Sequence, residues 1–113
     1  MPDYIPKQGD IIWIDFDPQS GHEQAGRRPA LVLSATAYNQ KTGLMICCPI
    51  TNQIKGYPFE VSMQGVRGTS GVALADQMKS FDWCTRRASK KGRAPTRILE
   101  DAIAKASALL KLD

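Results

Sequence analysis

Nine consecutive residues, Gly21-His22-Glu23-Gln24-Ala25-Gly26-Arg27-Arg28-Pro29, hold an imidazole, a carboxylate, an amide and two guanidiniums. That set suits phosphate chemistry. An arginine presents a planar fork to phosphate oxygens, and histidine has a free pKa of about 6.5, the nearest to neutral pH. Gly21 and Gly26 mark the stretch as a loop, and polar loops held between strands are common places for a site. The competing reading is a solvated hairpin loop with a surface ion pair, which would contribute little.

Strands are expected on both sides of this loop. Asp10 to Asp17 is rich in β-branched and aromatic residues, and alternation puts Ile12, Ile14 and Phe16 on one face and Ile11, Trp13, Asp15 and Asp17 on the other. Ala30 to Ser34 is short and mostly apolar, as a buried second strand should be. Thr36 to Thr42 predicts one or two helical turns closed by Gly43. Leu44 to Cys48 predicts a strand ended by Pro49, with Ile50 to Gln53 a polar strand end or turn. Phe59 to Met63 alternates, Gly65 to Gly71 is a turn with three glycines, and Val72 to Ala75 is the next strand, with Asp76 and Gln77 at its end. Ser80 to Cys84 predicts a final short strand.

The last third is different. Arg86, Arg87, Lys90, Lys91, Arg93 and Arg97 run without an acid among them, either as a solvated connection or as phosphate contacts. Pro95 then opens an amphipathic helix with Leu99, Ile103, Ala106 and Leu110 at helical spacing and Ile98, Ala102 and Leu109 beside them. Five or six short strands with one terminal helix predict a small, mainly β domain of α+β type, a barrel with a helical cap, spanning residues 1–113.

Composition narrows the function classes. The 113 residues carry 15 basic and 11 acidic side chains, net +4, with a pI near 9.1, a balance that favours a polyanionic partner. No apolar run approaches the ~18 residues of a membrane span, and Met1 to Lys7 lacks an apolar signal core, so a cytoplasmic protein is expected. Cys47, Cys48 and Cys84 have no metal spacing and are expected to be reduced, small apolar residues, the first two pointing to opposite faces of a strand. With one histidine in the chain, no metal site or other cofactor is expected.

Several motifs then align in order along nearly the whole chain. They are Gly9-Asp10-Ile11-Ile12-Trp13, Asp15-Phe16-Asp17-Pro18, Glu23-Gln24-Ala25-Gly26 with Arg28-Pro29, Lys55-Gly56-Tyr57-Pro58-Phe59-Glu60-Val61, Gly71-Val72-Ala73-Leu74-Ala75-Asp76-Gln77 and Lys90-Lys91-Gly92. With these the chain resembles the MazF/PemK family of toxins of type II toxin–antitoxin systems, MazF-type members most closely. The resemblance implies a small SH3-like β-barrel with a short helical insert and a C-terminal helix, acting as a homodimer. It implies a metal-independent endoribonuclease that cuts single-stranded RNA, mRNA included, at short sequences, of ACA type by the match to MazF-type members. Attack of a ribose 2′-OH would leave a 2′,3′-cyclic phosphate and a 5′-OH. The implied partner is an acidic antitoxin whose disordered segment covers the RNA site.

By the same resemblance Arg28 and Thr51 match the central residues of MazF-type members. His22 and Asp76 match positions of PemK-type members, and Glu23 the loop acid. Arg28 is expected to stabilise the phosphorane, with proton donation to the leaving group open to it, and Thr51 to hydrogen-bond a non-bridging oxygen. The base stays open among Glu23, His22 and a substrate phosphate oxygen. PemK-type members carry an arginine two residues before the position of Asp76, where this chain has Leu74; Asp76 is then either half of an acid/base pair or a support for the strand end. RNA contacts are expected from Gln24, Arg27, Asn39, Lys55, Tyr57, Gln77, Lys79 and Arg86. Tyr57 and Trp83 are stacking candidates, Trp83 with core packing as its alternative. Two other functions compete: a barrel that binds nucleic acid without cutting it, and a toxin of the same fold that acts on proteins.

Overall fold

The computed structural model describes residues 4–16 and 26–112. Strand β1 (Asp10–Asp15) alternates as its sequence predicts: Ile12 and Ile14, with Phe16 beyond, enter one apolar cluster, and Ile11 enters another. Strand β2 (Arg27–Val32) runs antiparallel to it, with Arg28 opposite Ile14 and Ala30 opposite Ile12. Helix α1 (Thr36–Thr42) has the predicted bounds and ends on Gly43 at φ +74°, the left-handed stop that glycine accepts without strain.

Strand β3 (Leu44–Thr51) is longer than expected, because Pro49 does not end it. Pro49 pairs with Ala30 of β2. On the other edge of β3, residues 44–47 pair with β6 (Lys79–Asp82) and residues 50–51 with β5 (Val72–Leu74). Pro49 therefore lies where one outer neighbour gives way to the next, and its missing N–H costs little there. Strand β4 (Glu60–Ser62) pairs with β5, and a single 3₁₀ turn, residues 75–77, follows β5.

The basic run contains a strand the sequence hid. Strand β7 (Ser89–Arg93) pairs with β1, with a bulge between Ile11 and Ile12. The sheet order is β4-β5-β3-β2-β1-β7, with β6 attached to β3. Among the described residues the path has two ends, so the sheet curls like a barrel without closing on itself. Helix α2 (Thr96–Ala108) starts after Pro95 and buries Ile98, Ala102 and Ala106, packing on β4 and the 75–77 turn. It ends before Leu110, which the expected apolar stripe included and which is exposed.

Both faces of the sheet are covered. Cys48 joins the cluster under α2, and Cys47 joins the cluster of Met45, Phe81 and Trp83 on the other face. Each thiol is fully buried; burial raises both, Cys48 to about 12. Cys84 departs from the expectation and is exposed on the turn after β6. Among the described residues no helix is long and apolar enough to cross a membrane.

Candidate active site

A cleft of about 290 Å³ opens beside the C-terminal end of β3. It gathers Arg28, Thr51, Lys55, Tyr57, Asp76 and Gln77, residues that span half the sequence. Arg28 stands near the start of β2 and precedes Pro29, which holds its backbone extended. Thr51 is the last residue of β3, fixed by pairing with Val72. Its hydroxyl oxygen accepts the Gln53 N–H at 3.1 Å, which leaves its own O–H as the donor.

Lys55 and Tyr57 come from the exposed connection between β3 and β4, with Lys55 Nζ 5.8 Å from the centre of the Tyr57 ring. Asp76 and Gln77 stand exposed on the 3₁₀ turn after β5, and Leu74 lines the same wall. No hydrogen bond ties the Asp76 carboxylate to the backbone among the described residues, so the strand-support role finds no contact there. Two cations and two carboxylates, Asp76 and Glu60, thus share the cleft. Such a mix can bind a phosphodiester and hydrogen-bond its oxygens at once. Among the described residues no three histidine, cysteine or carboxylate side chains gather closely enough to hold a metal ion.

His22, Glu23 and Gln24 lie outside the described residues. Arg27, next to Arg28, leaves the strand on the other side; its guanidinium meets Asp15 at 3.3 Å and Ser89 Oγ at 2.8 Å. Lys79 is exposed at the start of β6, outside the cleft lining.

Two expected RNA contacts are corrected. Asn39 is fully buried; its amide donates to Pro6 O at 2.9 Å and its oxygen accepts from Ser34 Oγ. Helical periodicity turns it inward, where it joins the N-terminal segment to α1. Arg86 donates to the carbonyls of Asp15 and Phe16 and lies 4.8 Å over the Phe81 ring, so its charge ties down the end of β1. Trp83 takes its core alternative, with Nε1 donating to Asn39 O at 2.9 Å.

Most of the rest of the basic run is similarly engaged, with Lys90 exposed and without a side-chain partner among the described residues. Arg87 holds Asp15 at 2.7 Å, Arg93 holds buried Asp10 at 3.0 Å, Lys91 bonds Thr69 Oγ1 at 2.9 Å, and Arg97 bonds Gln64 O at 3.1 Å.

Two polar cleft residues, Gln53 and Glu60, were missed. Gln53 had no signal beyond its place near a strand end. Glu60 had one: it alternates with Phe59 and Val61 in the expected strand, which turns it away from the core.

An open, curled antiparallel sheet capped by a terminal helix, with a mixed-charge cleft at its strand ends, places the chain among small, mainly β domains. Residues 7–110 match the PemK-like, MazF-like toxins of type II toxin–antitoxin systems, and the chain belongs to that family. It is 53% identical over 107 residues to the endoribonuclease toxin MazF of Escherichia coli strain K12, covering 95% of this chain and 96% of that one. The crystal structure of MazF (Form-I) from Deinococcus radiodurans superposes with a TM-score of 0.87 at 52% identity, covering 97% of this chain and all of that one. A MazE-MazF structure (Form-III) from the same organism superposes with a TM-score of 0.88 at 48% identity, covering 97% of this chain and all of that one.

Proposed function

We propose that the 113-residue chain acts as one unit, the toxin of a type II toxin–antitoxin pair, and cuts single-stranded RNA without a metal. The observation that carries this is the cleft uniting Arg28 and Thr51 with Lys55, Tyr57, Asp76 and Gln77. The names of its relatives, endoribonucleases all, support the same reading.

The chemistry needs a proton taken from a ribose 2′-OH, charge stabilisation on the phosphorane, and a proton for the leaving 5′-oxygen. In this reading Arg28 spans two phosphorane oxygens and can protonate the leaving group. The Thr51 O–H donates to a non-bridging oxygen. The 2′-OH proton passes to Glu23, to His22 or to a phosphate oxygen. Lys55 meets a neighbouring phosphate, and Tyr57 offers a ring to an unpaired base. Asp76, without the arginine that PemK-type members place two residues earlier, contacts substrate from the cleft wall. The toxin works in the cytoplasm as a homodimer, and an acidic antitoxin segment silences it by covering the same cleft.

The test is incubation of purified protein with a mixed RNA pool in excess EDTA, followed by sequencing of the new 5′ ends. Cuts at one short sequence with 5′-OH ends are expected. Loss of cutting on chelation, restored by magnesium, would overturn the mechanism, and binding without cutting would favour a passive nucleic-acid barrel.

A further inference from the structure

The turn that carries Lys55 and Tyr57 is held by one side chain. Glu60 Oε2 accepts the Lys55 N–H at 2.9 Å, and Glu60 Oε1 accepts the Gly56 N–H at 3.0 Å. The Glu60 N–H donates to the Tyr57 carbonyl at 3.1 Å, closing the turn from its other end. Gly56 sits at φ +83°, a conformation open to glycine. The Glu60 carbonyl is itself fixed, accepting from Lys105 Nζ of α2 at 2.9 Å, and Lys105 is in turn paired with Asp101 at 3.1 Å.

Residues 54–58 are all exposed. Ile54 is 64% and Tyr57 58% accessible, so burial does little to order this segment. Without the carboxylate, the Lys55 and Gly56 amides would turn to water and the segment would sample many shapes.

We infer that Glu60 is a positioning residue for substrate binding, whose carboxylate pre-shapes the turn that presents Lys55 and Tyr57 to a phosphate and base of single-stranded RNA. The inference rests on the endoribonuclease reading above. Glu60 lines the cleft beside Arg28, where a carboxylate invites assignment as the general base. The geometry points to another role, because each of its oxygens accepts a backbone N–H of the turn, which orients the carboxylate toward the turn. A binding turn shaped in advance spares its ordering cost when RNA arrives. Its loss should therefore weaken ground-state and transition-state binding together.

The experiment is steady-state cleavage of a short RNA containing the preferred sequence, over a range of pH, by full-length protein and by Glu60→Gln and Glu60→Asp. The amide of Gln keeps one acceptor and cannot receive the second N–H; the shorter Asp reaches one amide at best. For both, KM should rise about tenfold, the effect of losing one good charge-assisted hydrogen bond. The kcat should stay within about twofold and the pH profile should not move. In a Lys55→Ala/Tyr57→Ala background, Glu60→Gln should add less than twofold, since it acts through the residues already removed.

A fall in kcat of a hundredfold or more, with loss of the acidic limb of the pH profile, would make Glu60 the base and overturn the proposal. An unchanged KM would overturn it too. Failure of both variants to fold, judged by circular dichroism, would make Glu60 a framework residue and equally defeat it. If the parent protein does not cut RNA, the functional reading fails before Glu60 is touched. If the parent cuts and the variants match it, this inference alone fails.

Discussion

Gly71 lies against the carbonyl of Thr51: a Cβ placed on Gly71 would come within 2.1 Å of that oxygen and 2.9 Å of the Asn52 Oδ1. No real Cβ sits so close, and the nearest atom is backbone, which cannot swing aside. Gly71 also has φ +90°, where side chains are strained. It immediately precedes Val72, the residue paired with Thr51. The bare Cα is what lets β5 start close enough to fix the threonine in the cleft. Gly71→Ala should lose about 1–3 kcal/mol of stability from backbone conformation alone. The clash with Thr51 adds to this and shifts its hydroxyl, so cleavage should fall further than the folded fraction does. Urea denaturation and single-turnover cleavage, measured on the same preparation, check both halves. An alanine variant as stable and as active as the parent would show that the approach is not needed.

Asn39 gives a prediction of the opposite kind. Its amide is buried between Pro6, Ser34 and α1. Asn39→Ala leaves the Pro6 carbonyl without this partner in a buried place and takes one partner from the half-buried Ser34 hydroxyl. The buried loss at Pro6 costs about 1–3 kcal/mol, so the melting temperature should drop clearly. RNA affinity, measured well below that temperature on a non-cleavable 2′-deoxy analogue, should stay within about twofold. A large affinity loss at full folding would return Asn39 to the RNA interface.

The contrast between these two residues shows where the sequence is readable. The alternation of β1, the helix stop at Gly43 and the opposed faces of Cys47 and Cys48 are local patterns, and all three hold in the fold. Strand β7 has no such pattern: Ser89-Lys90-Lys91-Gly92-Arg93 is polar throughout, because it is an edge strand with little to bury and lysines that suit an open edge. Pro49 stays inside β3 because of where β5 and β6 meet it, which no local rule reveals. At the site, Arg28 and Asp76 were legible within family motifs, and Thr51 as a matched position of the same family. Glu60 and Gly71 also stood in family motifs, but without a role until folding set them beside residues 55–57 and Thr51. Arg86 and Asn39 were misread for the same reason, since their partners are far away in sequence.

Asp15 predicts a pH dependence. The Arg87 guanidinium, hydrogen-bonded at 2.7 Å, holds its carboxyl below the usual carboxylate range, and Arg27 adds to the effect. A carboxyl depressed on folding stabilises the protein while it is ionised, above its unfolded value of about 3.9. That contribution fades as pH falls below about 4, through the folded value. Asp82 is lowered in the same direction by the backbone N–H of Thr85, so it acts in the same window. Asp15→Asn should therefore be less stable than the parent at pH 6, and its stability should fall less steeply between pH 4 and pH 2. Denaturant midpoints across that range check it; parallel curves for the two proteins would remove the ion pair from the account.

Arg28 and Arg27 are neighbours with different work, and one substitution separates them. Strand geometry sends them to opposite sides. Arg27 goes to Asp15 and Ser89, and Arg28 goes to the cleft with Thr51. Arginine to lysine keeps the charge and removes the planar fork. At Arg27 this trades one exposed ion pair for another, an interaction worth about 0.2–1 kcal/mol, so cleavage should stay within about threefold. At Arg28 the fork is what bridges two oxygens of the phosphorane, and a lysine reaches them as a single point of charge. Losing one well-placed transition-state donor typically costs about 10²–10³ in rate. Long-range attraction to the polyanion should persist, so binding of a 2′-deoxy analogue should change little. Single-turnover cleavage of a short RNA carrying the preferred sequence, run on both variants beside the parent, separates the roles. If Arg28→Lys also cuts within about threefold, the chemistry does not centre on Arg28, and the site must be rebuilt around His22 and Asp76.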